Sequence, residues 1–392
     1  MTNLSSESVD GVVSPDGRHP TSPMATEIPV AGRSLFGDAW ERLKQNKAAM
    51  FSLFYLVAMA LVCIIGPFFS PHLYSTIYPD YVRTPPSLSP YPSEAGIETA
   101  LDDVLRRMRL DKKEWRQDGD RIYVTVTSSK DIDERNTRYL DRSDTFEDAK
   151  LESKSADGME AVFSAAVKQQ YFFFGTDNIG RDLMTRTLVA GRISLAIGLL
   201  AGIVAVVIGV VYGATAGFIG GKTDEVMMRI VDVLYSLPFI FFVIMLVVFF
   251  GRNFVLMFLA VGAVLWLDMA RIVRGQALSI RRQEYVQAAE AMGVSQRGIL
   301  QRHVIPNLLG PVVIYMTLLV PQVILLESFL SFLGLGVQEP MTSWGVLISA
   351  GASNIGTANW MLLFPAFFLV STLFALNFIG DGLRDALDPK DR

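Results

Sequence analysis

Runs of uncharged, apolar residues longer than a soluble core helix needs are the feature that most restricts this chain. A buried soluble helix shows an apolar stretch of about 10–14 residues, whereas a bilayer core about 30 Å thick takes roughly 20. Residues 48–70 and 193–221 carry no charge, and 233–251 is equally clean. Residues 253–267 are clean but short, reaching a full span only with Asp268 included. Residues 304–326 make a fifth run, and the uncharged stretch 340–380 ends in a sixth, 360–378. Six membrane spans and an all-α membrane fold are expected. A composition that is 51% hydrophobic and 19% charged agrees.

Several other classes fall away. One cysteine, Cys63, inside the first run, and three histidines offer neither a disulfide framework nor a metal-ligand cluster. A net charge of −4 leaves no basic footprint for nucleic acid. The first 30 residues are rich in Ser, Thr, Pro and Gly and lack the apolar segment of a signal peptide, so residues 1–47 read as a largely disordered tail.

Lysine and arginine near short loops set orientation. Between Arg271 and His303 stand six arginines (271, 274, 281, 282, 297 and 302) against Glu284 and Glu290, which places that segment in the cytoplasm. Lys222, Arg229, Arg42, Lys44 and Lys47 agree, and six spans then put both termini in the cytoplasm. Residues 71–174, on the outer side, hold 15 Lys+Arg and 19 Asp+Glu. Loops above about 60 residues translocate largely regardless of charge. This one reads as a small α/β domain: Ile97, Leu101, Val104, Leu105 and Met108 keep helical spacing, while Ile122, Val124 and Val126 alternate with Tyr123, Thr125 and Thr127. Pro85, Pro86, Pro90 and Pro92 give it an extended entrance.

The cytoplasmic loop, about residues 271–307, reads Glu284-Tyr285-Val286-Gln287-Ala288-Ala289-Glu290-Ala291-Met292-Gly293, then nine residues, then His303-Val304-Ile305-Pro306. A short helix whose Ala288 and Ala289 permit close approach, ended by Gly293 at positive φ, is expected to precede a second helix over 297–304, with Pro306 opening the fifth span. The loop resembles the EAA motif of ABC-importer permeases: Ala288, Ala289, Gly293 and Pro306 match, and Gln287 stands where that motif has Glu. Tyr285 before the alanines resembles the peptide branch. Phe174-Gly175-Thr176-Asp177-Asn178-Ile179-Gly180-Arg181-Asp182 resembles the outer-face signature of dipeptide, oligopeptide and nickel permeases. So do Phe332-Leu333-Gly334-Leu335-Gly336 with Ser343-Trp344-Gly345, and the C-terminal stretch holding Asp381, Arg384, Asp385, Asp388 and Pro389. The order of these pieces resembles the C-type subunit of the heterodimeric permease pair.

That resemblance implies the type I ABC-importer permease fold over residues 175–388, with residues 48–70 as first helix and 71–174 as an enlarged periplasmic insertion. It implies an inner-membrane subunit that hydrolyses no ATP, working by alternating access with a second, B-type permease, one or two ATPase subunits holding ATP and Mg, and a periplasmic binding protein. Peptides, or nickel chelates and peptide-like solutes, are the implied cargo. The loop around Tyr285, Gln287, Ala288, Ala289, Gly293 and Pro306 is the implied ATPase-docking site. An ion-coupled secondary transporter would show paired mid-membrane acids and inverted repeats, neither of which is visible. A receptor-like anchored assembly leaves the cytoplasmic loop unexplained.

Other signals have plainer readings. The Gly180-Arg181-Asp182 triplet is also what a helix cap at a membrane interface looks like. Ala216 to Thr223 nearly spells a phosphate-binding loop, but Ala216 stands where glycine is needed and a membrane helix leads in. Asp232 and Asp268 sit three residues from Arg229 and Arg271, the spacing of helical ion pairs. Glu327 has no obvious local partner, and intramembrane acids are candidates for a transport path.

Overall fold

In a computed structural model, residues 35–251 and 254–387 are described. The stretch 1–34, with Arg252, Asn253, Asp388 and Pro389, lies outside them. The last part of the expected tail is helical: α1 (Leu35–Gln45) turns at Asn46 into α2 (Lys47–Phe69). The Asn46 side chain caps α2 by accepting from the Ala49 N–H at 3.1 Å. Ala39 and Leu43, four residues apart on one face of α1, bury themselves against Ala49 and Ala386. Along α2, Phe51, Phe54, Phe68 and Phe69 point outward, as on a helix solvated by lipid.

The insertion holds α3 (Glu94–Met108), β1 (Asp111–Asp118), β2 (Arg121–Thr127), α4 (Thr137–Asp141), β3 (Phe146–Lys154) and β4 (Glu160–Val167). The four strands form an antiparallel sheet in the order β1-β2-β4-β3. All five residues of the expected helical stripe are buried against Ile122, Val124, Val126 and Phe163 in one core. Burying a side chain such as Phe163 contributes about 1.5–3 kcal/mol. The proline-rich entrance runs beside the exit: Tyr91 and Gln170 exchange backbone hydrogen bonds of 2.7 and 2.8 Å, and the Ser87 N–H donates to Phe172 at 3.2 Å.

The remainder is helical. It comprises α5 (Leu183–Ile219), α6 (Gly221–Ser236), α7 (Phe239–Phe250), α8 (Phe254–Arg281), α9 (Glu284–Ala291), α10 (Gln296–Ile299), a π-helical turn (Leu300–Val304), α11 (Ile305–Phe332), α12 (Trp344–Ala352) and α13 (Trp360–Leu387). Among the described residues, four helices are long and apolar enough to cross a membrane: α2, α5, the continuous Gln296–Phe332 and α13.

The six expected runs fall on α2, α5, α7, α8, α11 and α13, with different bounds, and neither the 12-residue α7 nor α8 is among those four. Helix α5 starts ten residues before 193 and carries Arg186 and Arg192, the second of which is the charge that bounds the run 193–221. The run 233–251 is interrupted where α6 stops at Ser236, because Pro238 holds Leu237 extended (ψ 133°) before α7 begins. The short run 253–267 belongs to the 28-residue α8, ample at about 1.5 Å per residue. Helices α5 and α8 pack backbone to backbone: a methyl added at Gly213 would overlap the Ala270 carbonyl, and one at Gly217 the Arg274 carbonyl. Small residues four apart allow that approach in membranes.

Candidate functional site

Helix α5 is about 55 Å long at 1.5 Å per residue, and the two signature regions sit at its two ends. At its N-terminus the stretch 175–182 folds into a closed turn. Asp177 holds it: its Oδ1 accepts from the N–H groups of Ile179 (3.0 Å) and Arg181 (2.9 Å), and its Oδ2 from Arg181 Nε (2.7 Å). Arg181 also donates from Nη1 to Glu339 Oε1 at 2.8 Å, joining this turn to a loop 158 residues away. Gly175 and Gly180 have φ of 76° and 88°, and a side chain on either would strike the backbone of Thr84 or Tyr78 respectively. Thr176 receives the Thr84 N–H on its hydroxyl at 2.8 Å, and its carbonyl accepts from Trp360 Nε1 at 3.2 Å.

Asp182 is the N-cap of α5, accepting from the Thr185 N–H (2.7 Å) and hydroxyl (2.6 Å). Thr185 in turn receives Ser70 Oγ, at the end of α2, at 2.6 Å. Burial pushes the Asp182 carboxyl above the usual carboxylate range, against the lowering effect of its hydrogen bonds. Arg186, buried in the first turns of α5, lies 3.5 Å from Asp177 and donates to the Tyr74 carbonyl at 3.3 Å. The whole is a capping and tethering knot that fixes the insertion's entrance, α5 and α13 to one another. Arg186, Glu339 and Trp360 belong to it, and no local spacing in the sequence points to the last two.

At the other end of α5, Arg281 donates to the Ile219 carbonyl at 3.1 Å, anchoring the start of the arginine-rich loop. Helix α9 ends in a Schellman turn: Val294 N–H to Ala289 O (3.1 Å), Gly293 N–H to Glu290 O (3.0 Å), with Gly293 at φ 79°. The expected positive φ is present. The two alanines do different work. Ala289 is buried with Val286 against the bundle's own core, where Ile299 and Val304 also lie, so it does not face a partner. Ala288, Gln287, Tyr285, Gly293 and Met292 form the exposed side. The expected second helix is not a separate element. It runs through the π turn into α11, because Pro306 has no N–H for a regular helix, and Asn307 Nδ2 reaches back to the His303 carbonyl at 2.6 Å.

Three further expectations are corrected or placed. Asp232 pairs with Arg271 across helices at 2.8 Å, not with Arg229, and Arg271 lies over the Tyr235 ring at 4.2 Å. Glu327 does have partners: it is fully buried and accepts from Ser331 (2.7 Å) and Ser343 (2.6 Å), which closes it off from the surface of this chain. Asp381, Arg384 and Asp385 are exposed near the end of α13, while Gly382 between them packs so closely on α2 that a methyl would overlap Ala49 Cβ. Gly334 ends α11 in another Schellman turn, with Leu335 N–H to Leu330 O at 2.9 Å.

A helical membrane core with an anchored knob at one end of its longest helix and a tethered turn at the other is the architecture of a transport permease subunit. Residues 205–392 match the family described as binding-protein-dependent transport system inner membrane component, and residues 34–86 the N-terminal TM domain of oligopeptide transport permease C. The chain is 44% identical over 366 residues to the oligopeptide transport system permease protein OppC of Escherichia coli (strain K12), covering 93% of this chain and 95% of that one. It is 37% identical to the dipeptide transport system permease protein DppC of Bacillus subtilis (strain 168), over 91% of this chain and 86% of that one. A solved chain of the MetNI methionine ABC transporter covers 53% of this chain at 20% identity and a TM-score of 0.43. The chain is a permease subunit of an ABC importer. It belongs to the C-type oligopeptide permease family.

Proposed function

We propose that this chain forms one membrane half of a bacterial inner-membrane importer of peptides, pairing with a B-type permease, one or two ATPase subunits and a periplasmic binding protein. Both termini and residues 284–306 face the cytoplasm, and 71–174 faces the periplasm. The exposed side of α9, held rigid by the buried Val286 and Ala289 and by the Gly293 turn, is the ATPase-docking surface, and it carries this reading. A rigid knob can transmit the closing of a partner into α8 and α11, between which it is inserted. This chain binds no nucleotide and performs no hydrolysis; ATP and Mg reside in the ATPase subunits. Peptide cargo follows from the names of the relatives at 44% and 37% identity.

The test is co-purification and reconstitution. The complex captured through this chain should contain an ATPase subunit, hydrolyse ATP faster with peptide-loaded binding protein, and accumulate peptide in vesicles. Capture of this chain without any ATPase, from membranes that hold one, would overturn the reading.

A further inference from the structure

Asp268 stands midway along α8, about 20 Å from Arg281 at 1.5 Å per residue. The ion pair that its spacing suggested is not made: Arg271 turns to Asp232 and acts on Asp268 only at longer range. Among the described residues, no hydrogen bond or ion pair holds the Asp268 carboxylate. It borders instead a cavity of about 420 Å³ between α8 and α11, lined also by Tyr315 and Gln322. Arg271 lines this cavity and a second one, about 580 Å³, between α6 and α8, where Asp224, Arg229, Asp232 and Arg274 stand. Residues 268, 271 and 274 lie on successive turns of α8, so the two cavities follow one polar seam from mid-helix toward the Gly221 end of α6.

A charge at the bilayer centre costs at least about 2.5 kcal/mol facing lipid, so such groups face a bundle interior or a water-filled cavity. Two other acids of the seam have partners: Asp224 takes Arg274 through two bonds of 2.6 Å, and Asp232 takes Arg271; Glu225 is exposed at the Gly221 end of α6. At mid-helix Asp268 is left with its charge toward open space, beside a phenol and an amide that suit peptide groups. We infer that this seam lines the inner half of the transport path, and that Asp268 receives the ammonium group of the passing peptide, its amino terminus or a lysine. Tyr315 and Gln322 offer hydrogen bonds to the peptide backbone. The inference rests on the peptide-import reading above.

The experiment uses the whole reconstituted complex, with wild type run in parallel; a wild-type complex that accumulates no peptide refutes the import reading itself. Given wild-type uptake, Asp268→Asn should lower peptide uptake at least about tenfold, and Asp268→Glu should restore most of it. Asp268→Cys in the assembled complex should react with a small cationic methanethiosulfonate and be protected by peptide. Wild-type uptake by Asp268→Asn overturns the inference. So does an Asp268→Cys complex that assembles yet resists the reagent, since Asp268 would then be sealed against the second permease subunit.

Discussion

Arg192 donates from Nε to the carbonyl oxygen of Cys63 at 2.7 Å, and that carbonyl is free because of Pro67. Proline has no N–H, so the residue four positions before it loses its helical donor. Arg192 Nη2 adds a bond to the Ile64 carbonyl at 2.6 Å, and its guanidinium lies over the Phe68 ring at 5.3 Å. An arginine that would end a membrane span on composition is thereby accommodated inside α5, its charge spent on a proline gap in α2.

This pairing predicts coupling between two positions 125 residues apart. Arg192→Met should destabilise the purified complex by about 1.5–3 kcal/mol, the range for hydrogen bonds to charged groups. In the Pro67→Ala background, where Cys63 regains a backbone donor, the same change should cost at least about 1 kcal/mol less. Additive effects in thermal or denaturant unfolding would show that the two residues do not act together.

The two alanines of α9 make a separable pair. Ala289→Asp puts an unpaired charge into the buried side of the knob and should lower stability by about 2–4 kcal/mol, with loss of assembled complex. Ala288→Asp lies on the exposed side. It should leave the melting temperature of this subunit unchanged while abolishing peptide-stimulated ATPase activity. Gly293→Ala has room for its methyl but must hold φ near 79°, costing about 1–2 kcal/mol and weakening coupling. Equal stability losses at positions 288 and 289 would refute the division of labour.

At the N-terminal end of α5, Asp182→Ala removes a cap and should cost about 1 kcal/mol, whereas Asp182→Asn keeps an acceptor and should cost a few tenths at most. The sign of the pH effect follows from burial. The folded-state pKa of Asp182 is raised, so the folded protein binds its proton more tightly than the unfolded chain does. The penalty for its charge is absent below the ordinary carboxylate range and grows as pH rises through and above it. Asp182→Asn should therefore gain stability relative to wild type from acid toward neutral pH. A difference that is flat with pH would contradict the raised value.

How much of this was legible in the sequence depended on the range of the interaction. The insertion's core was readable because Ile97 to Met108 and Ile122 to Val126 announce periods of 3.6 and 2, and both stripes are buried. The Gly293 turn was readable because it is closed by its own neighbours. Arg192 misplaced the start of α5, since composition counts a charge but not the Cys63 carbonyl that receives it. Arg271 is three residues from Asp268, yet α6 brings Asp232 to it, and tertiary geometry wins over helical spacing. Glu327 had one local clue, Ser331 at i+4, while Ser343 comes from a loop beyond α11. The Gly209, Gly213 and Gly217 stripe was a signal in plain view: repeated small residues four apart place α8 against α5.

The insertion should fold without the membrane core. Residues 93–169 contain α3 to β4 and the whole of the core built around Phe163, which is fully buried. Both edge strands, β1 and β3, are lined with charged residues, a composition that keeps sheet edges from pairing with other chains. Expressed alone, this segment should be monomeric and give a mixed α/β circular dichroism spectrum with a cooperative melt. Phe163→Ala should reduce its stability by about 3–5 kcal/mol, enough to unfold a domain of this size. A random-coil spectrum for the unsubstituted segment would mean that the pairing of Tyr91 with Gln170, and the strap beyond it, is needed to order the domain.

The final prediction concerns which end of α5 faces which side. The 175–182 turn and the 284–306 loop sit at opposite ends of that 37-residue helix, so a label reaching both from one side contradicts the arrangement. Cys63 is fully buried and stays silent to aqueous thiol reagents, so it needs no replacement. Ser129, exposed in the turn after β2, and Met292, exposed at the tip of the knob, are the two probe positions. In intact cells freed of their outer membrane, Ser129→Cys should react with a membrane-impermeant maleimide and Met292→Cys should not. After permeabilisation Met292→Cys should react when the ATPase is absent and be shielded when the complex is intact, because the knob's exposed side is then covered. Labelling of Met292→Cys from outside would invert the orientation and remove the docking role with it. Labelling that is indifferent to the ATPase would keep the orientation and place the docking surface elsewhere on the cytoplasmic face.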